Sequence, residues 1–417
     1  MMGVRRITRV SRRALVPLAG IIVAGVSYAA ITARFVSHTA AASFTSGSGI
    51  PGSVEAPVFE VDPLWPQPLP SHWLFGSVVG VAVDEDDRVY VLNRPNSFNA
   101  RTEIGAASDP PTGDCCLPAP AILVFDNAGA LVAHWGGPAR GYEWPTSSHR
   151  LSIDPGGTIW IGGTGERDAH LLRFSRDGSF IGQFGAPVPE AAAAPAAAAP
   201  AGPFQRVAKV SFDAVRNVAY IADGSRRVLA ADPATGAVRS AWGAYGESTP
   251  ADAEAPSAYD PAAPAARQFR NVHCAEPAND GLVYVCDRES NRIQVFRHDG
   301  SFVNETVIAP ATLAGGSVWD VAFSRDPQQR FMYVADGTNM RIHVLDRASL
   351  EHLTSFGAGG RQPGQFSVVH SIATDSHGNL YTGETLEGKR VQKFVFRGIG
   401  QVAREQGVLW PVARSRR

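Results

Sequence analysis

Apolar and polar residues alternate along most of this chain in a pattern that repeats six times. Each repeat begins with a short apolar strand, turns at Asp, Gly or Asn, and returns in a second apolar strand. The first repeat reads V-V-G-V-A-V-D-E-D-D-R-V-Y-V-L-N from Val78 to Asn93, and the last ends in R-V-Q-K-F-V-F at Phe396. A period of two predicts β-strands, and the D-G and D-N-A-G turns between them predict hairpins.

Each repeat predicts one four-stranded antiparallel sheet, which cannot bury both of its faces alone. Six such sheets around a ring bury both faces and leave no long free edge. The pattern therefore favours an all-β fold, a six-bladed β-propeller of residues 57–400. The sixth repeat supplies only three strands. We expect residues 58–61, which precede the first repeat, to form the outer strand of the last blade.

Composition agrees with this fold class and excludes one group of partners. The 417 residues include 42 Gly and 30 Pro, 18% are charged, and the formal net charge is −1. Many glycines and prolines with few charges are typical of a turn-rich all-β chain. No basic field is present to attract nucleic acid. We expect a monomer that acts on a small-molecule or peptide substrate.

The two ends of the chain differ from the repeats. Residues 1–42 combine five early arginines with an uncharged run at 14–33, which predicts a signal peptide or a membrane anchor. Residues 43–56 are predicted to be a flexible tether, and residues 401–417 a basic tail. The propeller is then expected outside the cytoplasm, periplasmic or secreted. Residues 14–33 would anchor it if they stay in the inner membrane.

Four cysteines occur in two pairs. Cys115 and Cys116 are adjacent, whereas Cys274 and Cys286 fall in neighbouring predicted strands with an apparent offset in register. Disulfides need specific Cβ placement, so free or incidentally oxidised thiols are the simpler interpretation of both pairs.

Three histidines occupy the same point of alternate repeats, at the start of the first strand: His149, His273 and His370. Alternate blades of a six-bladed ring are about 120° apart, so the three side chains are expected to converge on the channel. Three imidazoles suit zinc and leave a fourth position for water or substrate. The pattern predicts an open zinc site, with purely hydrogen-bonding histidines as the alternative.

Two arginines are expected on the same face as these histidines. Arg94 follows the second strand of the first repeat, Arg288 follows that of the fourth, and other repeats lack them. An Asp followed four or five residues later by an Arg does recur, at Asp223/Arg227, Asp287/Arg292 and Asp336/Arg341. Recurrence indicates structural ion pairs. The unrepeated arginines are better candidates for binding a carboxylate or stabilising an oxyanion.

The segments H-R-L-S-I-D, C-D-R-E-S-N-R-I-Q-V-F and V-V-H-S-I-A-T-D-S-H-G-N-L-Y-T-G-E resemble the peptidyl-α-hydroxyglycine α-amidating lyase family, within repeats that resemble NHL-type propellers. The resemblance implies a zinc-dependent carbon–nitrogen lyase that releases an amidated peptide and glyoxylate. It implies that His149, His273 and His370 hold the zinc. It also implies that Arg94 and Arg288 are catalytic and bind the substrate carboxylate.

The resemblance further implies a structural calcium ion on main-chain oxygens of Val81 and Leu151. Two positions depart from the family pattern. Ser225 stands where the family has a tyrosine used in proton transfer, and Ser371 stands where it has an aspartate that serves the calcium.

The sequence is compatible with two classes of function. The first is the metal-dependent lyase, with Tyr142 or Tyr245 as substitutes for the family tyrosine. The second is a non-catalytic NHL propeller that serves as a binding or scaffold module outside the cytoplasm. The fold alone does not choose between them, because propellers host both roles.

Overall fold

The computed structural model describes residues 52–108, 110, 113–189, 203–224, 226–248, 256–406 and 409–411. Within these residues the chain forms six antiparallel sheets arranged as a β-propeller, which confirms the predicted fold class. The expected signal or anchor segment (1–42), Ser225 and part of the expected basic tail lie outside the described residues. Among the helices of the described part, none has the length and apolarity to cross a membrane.

Each blade is built on four antiparallel strands that run in order from the channel outward, and the inner strand is buried. The strands of blades one to three are Ser77–Val83, Val89–Arg94, Ile122–Phe125 and Leu131–Trp135; Ser148–Ile153, Ile159–Gly163, His170–Phe174 and Phe180–Gly185; and Val207–Asp213, Val218–Asp223, Arg227–Ala231 and Val238–Trp242. Those of blades four to six are Val272–Pro277, Leu282–Asp287, Arg292–Arg297 and Phe302–Val307; Asp320–Phe323, Phe331–Asp336, Arg341–Asp346 and His352–Phe356; and Val369–Thr374, Leu380–Glu384, Arg390–Val402 and Val54–Asp62.

The N-terminal strand completes the last blade, as the sequence predicts. Val54–Asp62 pairs antiparallel with Arg390–Val402. The strand begins at Val54, so it includes residues 54–56, which were assigned above to the tether. Phe59 is buried in this strand, and its ring packs on Tyr333 of blade five and Phe396 of blade six. The strand thus joins the first residues of the propeller to its last two blades.

The C-terminal segment adds a strand that the sequence pattern did not predict. Glu405–Gln406 pairs in parallel with the outer strand of blade five, His352–Phe356. That blade therefore has five strands, and the chain closes against blade five as well as blade six.

The recurring Asp–Arg pairs are present in two of the three repeats. Asp223 and Arg227 are 2.9 Å apart. Asp287 and Arg292 are 3.0 Å apart. In blade five, however, the Asp336 carboxylate lies 3.0 Å from His343 Nε2, and Arg341 pairs with Glu405 instead. His343 lies two residues beyond Arg341 on the same face of the strand, which places its ring within reach of the aspartate.

Both cysteine pairs form disulfides, which the sequence analysis did not expect. Cys274 lies directly opposite Cys286, with Cα atoms 4.9 Å apart, so the predicted offset was wrong. The reason is a β-bulge between Val272 and Cys274 that shifts the pairing by one residue. Cys115–Cys116 lies in the long connection within blade one, beside the short helix Ile104–Ala107 and the strand pair Trp73–Leu74 and Leu117–Pro118.

Candidate metal centre

A β-bulge at the start of the inner strand lies at each of the three histidines. Strand pairing shifts by one residue in blade two between Ser148 and Leu151, in blade four between Val272 and Cys274, and in blade six between Val369 and Ser371. A bulge inserts an extra residue and redirects a side chain. Here the residues within the bulges include His149, His273 and His370, whose rings meet one another inside the ring of blades.

The three imidazoles are close enough to share one metal ion. Ring centroids are 4.7 Å apart for His149 and His273, 4.8 Å for His149 and His370, and 5.2 Å for His273 and His370. One nitrogen from each ring lies within 4.8 Å of the other two. Even at that upper limit the centre of the triangle is about 2.8 Å from each nitrogen, and small ring rotations reach the ~2.0–2.1 Å of a zinc–imidazole bond.

A main-chain carbonyl from the next blade fixes the orientation of each ring. His149 Nδ1 bonds Ala208 O at 2.8 Å, and His370 Nδ1 bonds Val79 O at 2.9 Å. His273 Nδ1 bonds Trp319 O. A carbonyl can only accept, so these bonds require the hydrogen on Nδ1 and leave the lone pair on Nε2. This is how metal-binding histidines are held in proteins. Arg150 can only donate, so with this tautomer it contacts Nδ1 of His370 at 2.8 Å and of His273 at 3.3 Å without a hydrogen bond to either.

Burial keeps the three imidazoles neutral. It lowers the pKa of each histidine well below the usual value, with Arg150 adding positive charge next to His149 and His370. The pKa of His273 is lowered first by burial and then by Arg288. Neutral imidazole is the form that binds metal ions, so the site needs no proton loss before binding at neutral pH.

Arg288 lies on the Nε2 side of the histidines. Its Nη1 is 3.4 Å from His273 Nε2, the candidate ligand atom. The guanidinium stacks over the Trp319 ring at 4.6 Å, and Nη2 donates a hydrogen bond of 2.8 Å to Glu289. The side chain is 18% exposed, so a substrate can reach it.

Arg94 approaches the same centre from blade one. Its Nε donates a hydrogen bond of 2.8 Å to Ser148 O, the residue before His149. Burial lowers the pKa of its guanidinium. Within the described part of the chain, no acceptor bonds its Nη atoms, which leaves them available for a ligand. The structure thus brings both predicted arginines to the histidines.

Other predicted residues lie elsewhere. Val81 and Leu151 are buried in the inner strands of blades one and two, beyond the histidines along the channel. Tyr142 bonds Gly137 O and packs on Phe174 in blade two, near the outer strand. The remaining candidate, Tyr245, bonds Arg292 and Glu305. Neither tyrosine contacts an imidazole among the described residues.

Two residues at this site were missed by the sequence analysis. Trp319 occupies in blade five the place that a histidine takes in alternate blades, and its ring packs on His273 and His370. Arg150 directly follows His149 and is buried beside the imidazoles. The available signal was an arginine inside the otherwise apolar strand H-R-L-S-I-D, where a charge requires a buried partner.

The fold is a six-bladed propeller. Residues 278–296, in blade four, match the family model of the NHL repeat, so the propeller contains an NHL-type repeat. Similar solved structures include a streptogramin B lyase, at 11% identity over 84% of this chain and 100% of that chain, with a TM-score of 0.45. Virginiamycin B lyase from Staphylococcus aureus, containing selenomethionine, is 12% identical over 81% of this chain and 89% of that chain, with a TM-score of 0.43.

A catalytically inactive virginiamycin B lyase from Staphylococcus aureus with quinupristin is 13% identical over 84% of this chain and 89% of that chain, with a TM-score of 0.44. Identities and scores this low support no inference about the reaction or the substrate of this chain.

Proposed function

We propose that this protein is a metal-dependent lyase that cleaves a peptidyl-α-hydroxyglycine into an amidated peptide and glyoxylate. The observation that carries the proposal is the set of three buried imidazoles whose Nδ1 atoms bond carbonyls and which each place one nitrogen within 4.8 Å of the other two. Hydrogen-bonding histidines alone would not need three free lone pairs at one point. The motif resemblance described above supplies the reaction.

Zinc is the proposed ion because the ligand set is three neutral nitrogens. Among the described residues, this is the one group of three or more His, Cys, Asp or Glu side chains placed to share an ion. Calcium and magnesium prefer oxygen ligands, whereas three histidines with an open position suit catalytic zinc. When bound, zinc would act as a Lewis acid toward the substrate hydroxyl and make its proton easier to remove.

The reaction redistributes bonds within the substrate and needs no oxidant. The bond between the amide nitrogen and the hydroxyl-bearing carbon breaks, and the carbon–oxygen bond of that hydroxyl becomes the aldehyde of glyoxylate. The hydroxyl proton leaves and the amide nitrogen gains one, so atoms balance. The substrate keeps its carboxylate throughout, which makes a fixed cation the natural means of binding it.

Arg288 and Arg94 are the residues proposed to hold that carboxylate. Both guanidinium groups lie beside the histidines, and Arg94 has no acceptor for its Nη atoms among the described residues. A guanidinium can bind a carboxylate through two parallel hydrogen bonds, which orients the substrate as well as attracting it. Trp319 lies beneath Arg288 and keeps its guanidinium in place by stacking.

Glyoxylate release tests the proposal. Zinc-loaded protein incubated with a short peptide ending in α-hydroxyglycine should release glyoxylate and amidated peptide in equal amounts, faster than the spontaneous reaction. Removal of the metal with a chelator should abolish the excess rate, and added zinc should restore it. A zinc-loaded protein that releases glyoxylate no faster than buffer would contradict the lyase assignment. Absence of any transition metal would instead favour the non-catalytic binding propeller.

A further inference from the structure

Arg150 is a buried cation that the proposed reaction does not use. It follows His149 in the inner strand of blade two, and its side chain is 2% exposed. Its guanidinium reaches blades five and one, where it bonds Trp319 O and Val79 O. A charge with so little access to water requires a specific arrangement of partners.

The partners of Arg150 are the same carbonyls that orient two of the histidines. Nη1 donates a hydrogen bond of 3.1 Å to Val79 O, which also accepts from His370. Nη2 donates one of 3.0 Å to Trp319 O, which also accepts from His273. Nη1 is also 2.8 Å from His370 Nδ1, and Nη2 is 3.3 Å from His273 Nδ1. The guanidinium therefore lies on the Nδ1 side of both rings, away from the ligand atoms, and holds both carbonyl acceptors in place.

Acidic residues from other blades balance the charge of Arg150. Asp320 of blade five lies 3.6 Å from Nη1, and Lys209 of blade three bonds Asp320 at 2.8 Å. Lys209 also pairs with Glu276 of blade four. Two cations and two anions thus form one neutral cluster in the interior, joining four blades below the imidazoles.

The charges of this cluster do not suit a bound calcium ion. Arg150 and Lys209 bring two positive charges, and the carboxylates of Asp320 and Glu276 already pair with them. Ser371 follows the third histidine, so no carboxylate comes from that position. Calcium takes six to eight oxygen ligands and depends on carboxylates for its affinity. Main-chain oxygens of Val81 and Leu151 would have to bind it next to a guanidinium.

We propose that Arg150 serves as the built-in cation of the channel: it positions His273 and His370 through their shared carbonyls and makes an internal calcium ion unnecessary. The inference deepens the proposed function, because it names a positioning residue for the same metal centre. It has two separate consequences. The wild-type protein should be independent of calcium, and loss of Arg150 should weaken binding of the transition metal.

The first consequence is measured on the wild-type protein. Elemental analysis after dialysis against a calcium-selective chelator should find the zinc retained and less than about a tenth of a calcium ion per chain. The midpoint of thermal unfolding should stay within about 1 °C whether calcium or the chelator is present, because only a ligand that binds the folded state raises it. Calcium near one ion per chain, or a lower midpoint in the chelator, would overturn the proposal.

The second consequence needs a matched pair of variants, Arg150→Met and Lys209→Met. Each removes one buried cation that neighbours Asp320, but only Arg150 contacts the histidines. Arg150→Met should weaken binding of cobalt(II), a coloured substitute for zinc, ~10–100-fold, as expected for a lost outer-shell partner. It should also change the visible spectrum of the bound cobalt. Lys209→Met should alter the affinity less than about threefold and leave the spectrum unchanged.

A purely electrostatic role of Arg150 predicts that Arg150→Met binds the metal ion more tightly, because removal of a nearby cation favours binding of a dication. Tighter or unchanged binding by Arg150→Met would therefore overturn the positioning role. If Arg150→Met does not fold, Arg150→Lys carries the test, since one ammonium cannot reach both carbonyls and binding should still weaken. Wild-type affinity in Arg150→Lys would count against the proposal. If the wild type binds no transition metal, the proposed function fails, while the calcium measurement still judges the role of Arg150.

Discussion

Replacing His273 with alanine is expected to lower the zinc content of the purified protein from about one ion per chain to less than about a tenth. The substitution removes one of three nitrogens from a site whose ligands are all imidazoles. Two remaining imidazoles and solvent make a much weaker site. The measurement is the zinc content by mass spectrometry after dialysis against a zinc-free buffer. The rate of glyoxylate release should fall together with the zinc content.

The matched control is His298→Ala. His298 lies in the same blade and is exposed, so its removal should leave the zinc content unchanged. The His273 variant should still fold. It loses the hydrogen bond to Trp319 O, a cost of about 1–3 kcal/mol, and the ring's contacts with Arg150 and Arg288, but Trp319 O keeps Arg150 Nη2 as a donor. Its circular dichroism spectrum should match that of the wild type. Full zinc content in a folded His273→Ala protein would mean that the ion binds elsewhere.

Replacing Arg288 with alanine is expected to lower kcat/KM for glyoxylate release by about 10²–10³-fold while zinc stays bound. The guanidinium lies 3.4 Å from His273 Nε2, on the side where the substrate would meet the ion. Without it, the substrate carboxylate loses a cation in a partly buried site, where charge pairs are stronger than in water. Steady-state kinetics on zinc-loaded protein give the value.

Arg297→Ala is the control for this second prediction, since Arg297 is an exposed arginine of the same blade. It should keep wild-type kinetics. Arg288→Lys should recover only part of the rate, because an ammonium lacks the two parallel hydrogen bonds of a guanidinium. Unchanged kcat/KM in a zinc-loaded Arg288→Ala protein would remove Arg288 from the reaction and leave the metal site standing.

The architecture was predictable because it depends on periodicity, which a sequence displays directly. Strand alternation and turn residues gave six repeats, and the missing strand of the last repeat pointed to the N-terminal strand Val54–Asp62. The parallel strand Glu405–Gln406 was not foreseen, since two residues carry no period. Likewise, the pairing of Asp336 with His343 depends on which side chain reaches the carboxylate, and the recurring pattern suggested Arg341 instead.

Convergence of the three histidines followed from their equivalent places in alternate repeats. Their orientation did not, because it depends on β-bulges and on carbonyls of neighbouring blades such as Val79 O and Ala208 O. A bulge is one extra residue in a ladder and leaves no mark in the hydrophobic pattern. The same shift hid the direct pairing of Cys274 with Cys286. Arg150 was missed for a related reason, since its partners come from blades one and five.

The most direct test of the metal centre is anomalous X-ray scattering from crystals of the zinc-loaded protein, recorded on both sides of the zinc absorption edge. The account predicts a single strong peak bonded to Nε2 of His149, His273 and His370 at ~2.0–2.1 Å, with a fourth position open toward Arg288. A peak on other residues, or crystals of zinc-loaded protein with no peak between these three rings, would contradict it.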